Sequence, residues 1–228
     1  MSGPAMLEAV LPAGVVCVES FADLPEAPLF PSEAAVVAGA VEKRRQEFAT
    51  VRHCARQALG QLGLPPVPLL PGERGAPQWP AGVVGSMTHC QGYRAAALAR
   101  SAELLAIGID AEPNDALPEG VPRLVLRQEE AQMLAELAAG APDVHWDRLL
   151  FSAKESVYKA WYPLARRWLD FHEASVTIFA NGRFEARLLV PGPVVAGRPL
   201  AGFTGRWVAS NGLVVTGIGL TAAGVAAD

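Results

Sequence analysis

The chain has 228 residues, of which 51% are hydrophobic and 18% charged, with a formal net charge of −4. Such a chain can bury a sizeable core, which excludes a disordered segment, and its acidic balance argues against a general nucleic-acid binder while leaving room for a local basic pocket. No apolar run is long enough to span a bilayer and no secretory leader is visible, so a cytoplasmic protein with neither a membrane nor a nucleic-acid partner is expected. Cys17, Cys54 and Cys90 show neither zinc spacing nor a disulfide framework, which fits a reducing compartment.

In chain order, the Val-rich stretch 14–19 predicts a strand. Residues 32–62 predict one long helix or a broken pair, with Ser32 to cap its start and Gly63 to end it. Lys43, Arg44, Arg45, Arg52 and Arg56 crowd its second half, while Phe48, Val51, Ala55 and Leu59 supply a core side. Those cations form either a solvated basic face or an anion site. Residues 63–82 carry six prolines, which fix the backbone and exclude helix; a stiff loop of this length suits binding, with Arg74 at its middle. Residues 83–89 predict a strand and 92–100 its hairpin partner. His89 reads either as a satisfied strand histidine or as a site residue. Cys90 beside it does not make a Cys/His nucleophile pair, because neighbours on a strand point to opposite faces.

Residues 103–112 give the clearest strand, ending in Asp110 and Glu112. Their spacing puts both carboxylates on one face, where like charges repel unless a cation lies between them. Oxygen ligands suggest magnesium; the bland alternative is a strand end turning into solvent at Pro113. The prolines of 112–122 read as a hinge between lobes 1–112 and 113–228. Residues 124–139 predict a helix, on which Met133, Leu134 and Leu137 are either core or a docking face. The stretch 149–164 predicts another, with Leu150, Phe151, Val157, Tyr158, Trp161 and Tyr162 in one apolar stripe. Lys154 falls inside that stripe, and a buried lysine needs an anion. Glu155 and Lys159, four apart, sit on its rim. Ser152 and Glu155 fit a capping box, unless the helix starts near Asp143 or Asp147 and makes Ser152 interior. Pro163 kinks or ends this helix. Strands follow at 174–180, 183–190, 203–210 and 213–220, with Asn181-Gly182 and Asn211-Gly212 as hairpin turns. The expected class is α+β, in two similar lobes that each pack a small antiparallel sheet with helices.

Three acids from different elements (Asp110, Glu112, Glu155) thus stand against Arg44, Arg52, Arg74, Lys154, Lys159 and His89. That mixture suits a metal-bound polyphosphate, and predicts phosphoryl-type chemistry on a nucleotide-like substrate.

Four segments carry a resemblance. V-V-G-S-M-T-H-C at 83–90, I-G-I-D-A-E-P at 107–113 and F-S-A-K-E-S-V-Y-K-A-W at 151–161 resemble the signatures of 4′-phosphopantetheinyl transferases. K-R-R-Q-E-F-A-T-V-R-H-C-A-R at 43–56 is similar to the actinobacterial members. The length matches the two-lobed single-chain type that activates peptide and polyketide synthetases. Pro71 stands where some relatives carry a lysine.

This resemblance implies a pseudo-twofold monomer with its site in the cleft between the lobes. It implies transfer of phosphopantetheine from coenzyme A to a serine of an acyl or peptidyl carrier protein. Asp110, Glu112 and Glu155 would hold magnesium, with Glu155 also the base. Lys159 would balance charge on the breaking pyrophosphate, and His89 with Thr88 would bind a phosphate. Arg44 and Arg52 would hold the 3′-phosphate, Lys154 the phosphates or the arm, and Glu73 and Arg74 the coenzyme from their loop. The rival readings are a magnesium-dependent hydrolase of coenzyme A or a related nucleotide, and a non-catalytic binding module.

Overall fold

The computed structural model describes residues 5–225. A short helix, α1 (Met6–Val10), precedes β1 (Val16–Ser20). The stretch expected as one helix or two is a broken pair, α2 (Pro31–Val36) and α3 (Glu42–Gln61). Pro31 begins α2, where its missing N–H is no loss, and the Glu33 carboxylate accepts from the Phe30 N–H at 2.9 Å. Ser32 is therefore inside the helix and does not cap it. Gly63, at φ +72°, turns the chain off the end of α3. The proline-rich loop then holds only a single 3₁₀ turn at Glu73–Gly75.

The hairpin β2 (Val83–Cys90) and β3 (Tyr93–Arg100) completes a three-stranded antiparallel sheet in the order β1-β3-β2. Alanines 95, 96, 97 and 99 of β3 are fully buried, and their small side chains let elements approach closely on both faces. On one face α3 sets Cys54, Ala55, Ala58 and Leu59 against Ala96 and Leu98.

Beyond β4 (Ala106–Pro113) come three helices, α4 (Val121–Val125), α5 (Gln128–Gly140) and α6 (Trp146–Ala165). The helix expected over 124–139 is thus interrupted. The early start of α6 makes Ser152 interior, and Pro163 lies within its last turn without stopping it there. Strands β5 (Ala174–Phe179) and β6 (Arg183–Leu188) turn at Gly182, and β9 (Gly202–Ser210) and β10 (Leu213–Leu220) at Asn211-Gly212, all three residues at positive φ. Between the hairpins lies a two-residue ladder, β7 (Val194–Val195) and β8 (Arg198–Pro199). The second sheet runs β4-β10-β9-β6-β5, antiparallel throughout. Helix α6 lies on one face, burying Leu149, Leu150, Ala153, Val157 and Trp161 against Ala106, Val214, Ile218 and Phe184. Met133, Leu134 and Leu137 pack into this same core and do not make a docking face.

Because β4 pairs with β10 along its whole length, sheet membership changes between Arg100 and Ala106, ahead of the expected 112/113 division. The prolines after Glu112 mark a loop inside the second unit. Local turn signals announce a break in the chain but not which strands pair across it.

Two devices join the sheets. Ser86 Oγ accepts from the Ile109 N–H at 3.1 Å and Thr88 Oγ1 from the Ala111 N–H at 3.2 Å, so hydroxyls of β2 satisfy the outer edge of β4. Helix α1 is the second. Glu19 Oε1 caps its Met6 and Leu7 N–H groups and accepts a hydrogen bond from the Tyr93 hydroxyl. Met6, Leu7 and Val10 then share one apolar cluster with Tyr93, Ala95, Ile107, Ile109, Leu213 and Val215. Gly217 of β10 is needed there, since a Cβ would come within 2.8 Å of the Val10 side chain.

Candidate active site

The strand periodicity of β4 divides its residues. Ile107, Ile109 and Ala111 face the cluster with α1, while Gly108, Asp110 and Glu112 face α6. From α6, Lys159 reaches round the edge of β4 and donates to the Ile109 carbonyl at 3.0 Å and to Asp110 Oδ1 at 2.7 Å. Thr88 also donates to Asp110 Oδ1, at 3.3 Å. Asp110 Oδ2 is buried without a hydrogen-bond partner among the described residues. Glu155 lies half-buried one turn before Lys159. Burial pushes its carboxyl above the ordinary range; Lys159 opposes this and Asp110 adds to it. Burial and then Asp110 likewise raise Glu112, against the pull of Arg148, which donates to it at 3.0 Å.

A pocket of about 1040 Å³ opens beside these groups. Glu155, Tyr158, Lys159 and Tyr162 line it from α6, Arg44, Glu47 and Arg52 from α3, His89 from β2, and residues 71–79 from the loop. Glu73 and Arg74 are both on that loop wall. Arg74 is held at φ +54° with its guanidinium 5.5 Å from the Trp168 ring. Arg44 donates to His89 Nε2 at 2.5 Å, so that nitrogen is the acceptor and the ring is neutral. Partial burial and then the Arg44 charge lower the His89 pKa. Glu47, a residue the sequence reading passed over, lies 3.7 Å from Arg44, 3.8 Å from His89 and 3.4 Å from Arg94. Its one local signal is the three-residue spacing from Arg44.

Four of the groups expected from the sequence have partners or positions of their own. Arg52 belongs to no solvated face and is not free for an anion alone. Its Nε donates to the Leu69 carbonyl at 2.8 Å, and its guanidinium stacks 3.2 Å from the Phe48 ring. Burial brings its pKa down to about 10. Thr88 points at β4 and lies off the pocket wall. Lys154 is also away from the pocket. Its ammonium pairs with Glu130 at 2.8 Å and donates to the carbonyls of Val125 and Phe171. Its need for an anion is met inside the protein. Finally, no three His, Cys, Asp or Glu side chains are gathered as a metal site among the described residues. Arg148, from the first turn of α6, occupies Glu112.

The model of the 4′-phosphopantetheinyl transferase N-terminal domain matches residues 32–99, and that of the 4′-phosphopantetheinyl transferase superfamily matches residues 106–207. The chain belongs to the 4′-phosphopantetheinyl transferase superfamily. Three curated relatives match nearly end to end. The 4′-phosphopantetheinyl transferase Svp of Streptomyces mobaraensis is 63% identical over 95% of this chain and 90% of its own. PptT of Mycobacterium tuberculosis is 47% identical over 93% and 97%, and Npt of Nocardia iowensis 48% identical over 93% and 99%. This transferase is accordingly an enzyme, and the hydrolase and binding-module readings have no support among its relatives. The two family matches meet between residues 99 and 106, where sheet membership also changes. Among the described residues no helix is long and apolar enough to cross a membrane.

Proposed function

We propose that this phosphopantetheinyl transferase moves the phosphopantetheine arm of coenzyme A onto a serine hydroxyl of an acyl or peptidyl carrier protein, in the cleft between its lobes. The serine oxygen forms the new bond to phosphorus, the pyrophosphate P–O bond breaks, and adenosine 3′,5′-bisphosphate leaves. The observation that carries this reading is the meeting of Glu155 and Lys159 with Arg44 and His89 around one pocket. A base and a cation thus stand at one side and anion-binding donors at another.

Each group has a task. Arg44 has donors for a terminal phosphate, and His89, neutral beside it, becomes a further donor if it gains a proton. Arg52, fixed by Leu69 and Phe48, presents the rest of its guanidinium to the same region. Glu73 and Arg74 border the coenzyme from their loop. Glu155, its proton affinity raised by burial, takes the serine proton, directly or through water. Lys159 stands where negative charge grows on the leaving oxygen.

A divalent cation, magnesium by the chemistry of the donors, fits these residues. Asp110 Oδ2 is buried without a hydrogen-bond partner among the described residues, Lys159 holding only Oδ1, and after burial the Asp110 charge adds to the raised Glu112 and Glu155. Asp110 and Glu155 would hold it, and Glu112 would join on releasing Arg148. When bound, it neutralises pyrophosphate oxygens.

The site draws on α3, β2 and α6 of one chain, which supports a monomer. Three free cysteines and a thiol coenzyme favour the cytoplasm.

The test mixes the protein with coenzyme A, magnesium and an apo carrier protein, followed by an intact mass spectrum of the carrier. One phosphopantetheine is expected to be added, and a chelator to abolish it. Glu155→Gln should fold normally and lose about a thousandfold or more in rate, since both base and ligand are removed. Normal loading by folded Glu155→Gln protein would remove its assigned roles. Coenzyme A breakdown without carrier modification would favour the hydrolase.

A further inference from the structure

We infer that Thr216 is a positioning residue for the reaction, setting Glu155 and Lys159 against Asp110 through two serines of α6. The inference rests on the roles just proposed for those three side chains.

Thr216 lies in β10, directly across the ladder from Asp110, and is fully buried. Its hydroxyl is saturated. It donates to the Ser152 carbonyl at 3.0 Å, while Ser156 Oγ at 2.7 Å and Ser152 Oγ at 3.0 Å are placed to donate to its two lone pairs. One side chain on the strand thus grips two successive turns of α6. Glu155 lies between the gripped residues, and Lys159 follows Ser156 by three positions, on the same side of the next turn.

Apart from Lys159 on Ile109 and Asp110, and Ser156 Oγ on the Thr216 carbonyl at 3.3 Å, this interface is apolar: Ala153, Val157, Ala160 and Trp161 rest on Val214 and Ile218. Apolar burial drives the helix onto the sheet but is non-directional, so it leaves the slide and rotation of α6 weakly fixed. Directional hydrogen bonds to Thr216 supply what packing does not. Gly108, on the same face of β4, sets the separation, because a Cβ there would collide with the Ser156 carbonyl oxygen. At this register the Lys159–Asp110 pair closes to 2.7 Å. Without the Thr216 grip, α6 keeps its core and loses its alignment.

The experiment compares Thr216→Val, which removes the hydroxyl and keeps the shape, with Thr216→Ser, which keeps the hydroxyl. Thr216→Val is expected to lower kcat about tenfold or more per folded molecule, with KM for coenzyme A within about twofold, since a misplacement near 1 Å has effects of this order. Thr216→Ser should restore kcat. Its thermal midpoint separates this from simple destabilisation, which lowers the folded fraction without changing kcat of the remainder. Should Thr216→Val not fold, the double variant Ser152→Ala, Ser156→Ala removes two donors, keeps the bond to the Ser152 carbonyl, and should show a smaller loss of kcat in the same direction. Unchanged kcat, or a Thr216→Ser enzyme as poor as Thr216→Val, overturns the inference. A crystal structure of the variant that folds gives an answer independent of the reaction. Lys159 Nζ and Asp110 should lie beyond bonding distance, and an intact pair overturns the inference. Failure of the parent protein to load any carrier would instead bring down the functional reading, with the crystal arm still deciding on Thr216.

Discussion

Lys154 shows how far single-residue logic reaches. A lysine in an apolar stripe does need an anion, and it has one. The anion is Glu130, whose other oxygen accepts from the Val176 N–H at 2.8 Å and so also covers the edge strand β5. Burial lowers the Lys154 pKa and Glu130 opposes it. Lys154→Ala should therefore cost about 3–5 kcal/mol in urea denaturation, the usual effect of stranding a buried partner. Its folded fraction should bind coenzyme A as before, and a raised KM would return Lys154 to the ligand set. Asp110, Glu155 and Lys159 were legible because their spacings, i to i+2 on a strand and i to i+4 on a helix, are local facts. The partners that redirect Glu112 and Lys154 were not. Arg148 meets Glu112 across 36 positions of chain, and nothing near either residue announces the other.

At the scale of elements, α6 on β4 is the contact that makes the site. Gly108 is its thinnest point. Gly108→Ala must push α6 away or bend β4, with a cost of about 1–3 kcal/mol expected for such overpacking. A thermal melt would read that loss, and the Lys159–Asp110 pair should weaken with it. A variant with the parent midpoint and full transfer would mean that α6 can shift freely on the sheet. Element types followed from the sequence nearly throughout, since β2, β3, β4, α6 and the two Asn-Gly hairpins fall where periodicity and turn chemistry put them. Ends were harder. Ser32 and the 152–155 pattern both look like caps, yet each lies inside its helix because Pro31 begins α2 and Trp146 begins α6. A cap is a matter of which residue leaves helical geometry, and several polar residues qualify.

For the whole molecule, the sequence shows two α+β units and places β4 with the first, whereas its backbone pairs in the sheet of the second. Its strand pattern is identical in either sheet, and only pairing with β10, a hundred residues away, decides. The outer edge of β4 is consequently closed by side chains of the other unit. The amides of Ile109 and Ala111 are bonded to Ser86 and Thr88 and not to a neighbouring strand. In hydrogen exchange these two protons become reporters of the sheets parting. They should exchange through a partial opening, faster than the amides of the β9–β10 ladder, which need global unfolding. Coenzyme A, held in the proposed site by residues of both units, should slow them selectively. Equal protection of all these amides would mean that the two sheets separate only when the whole protein unfolds.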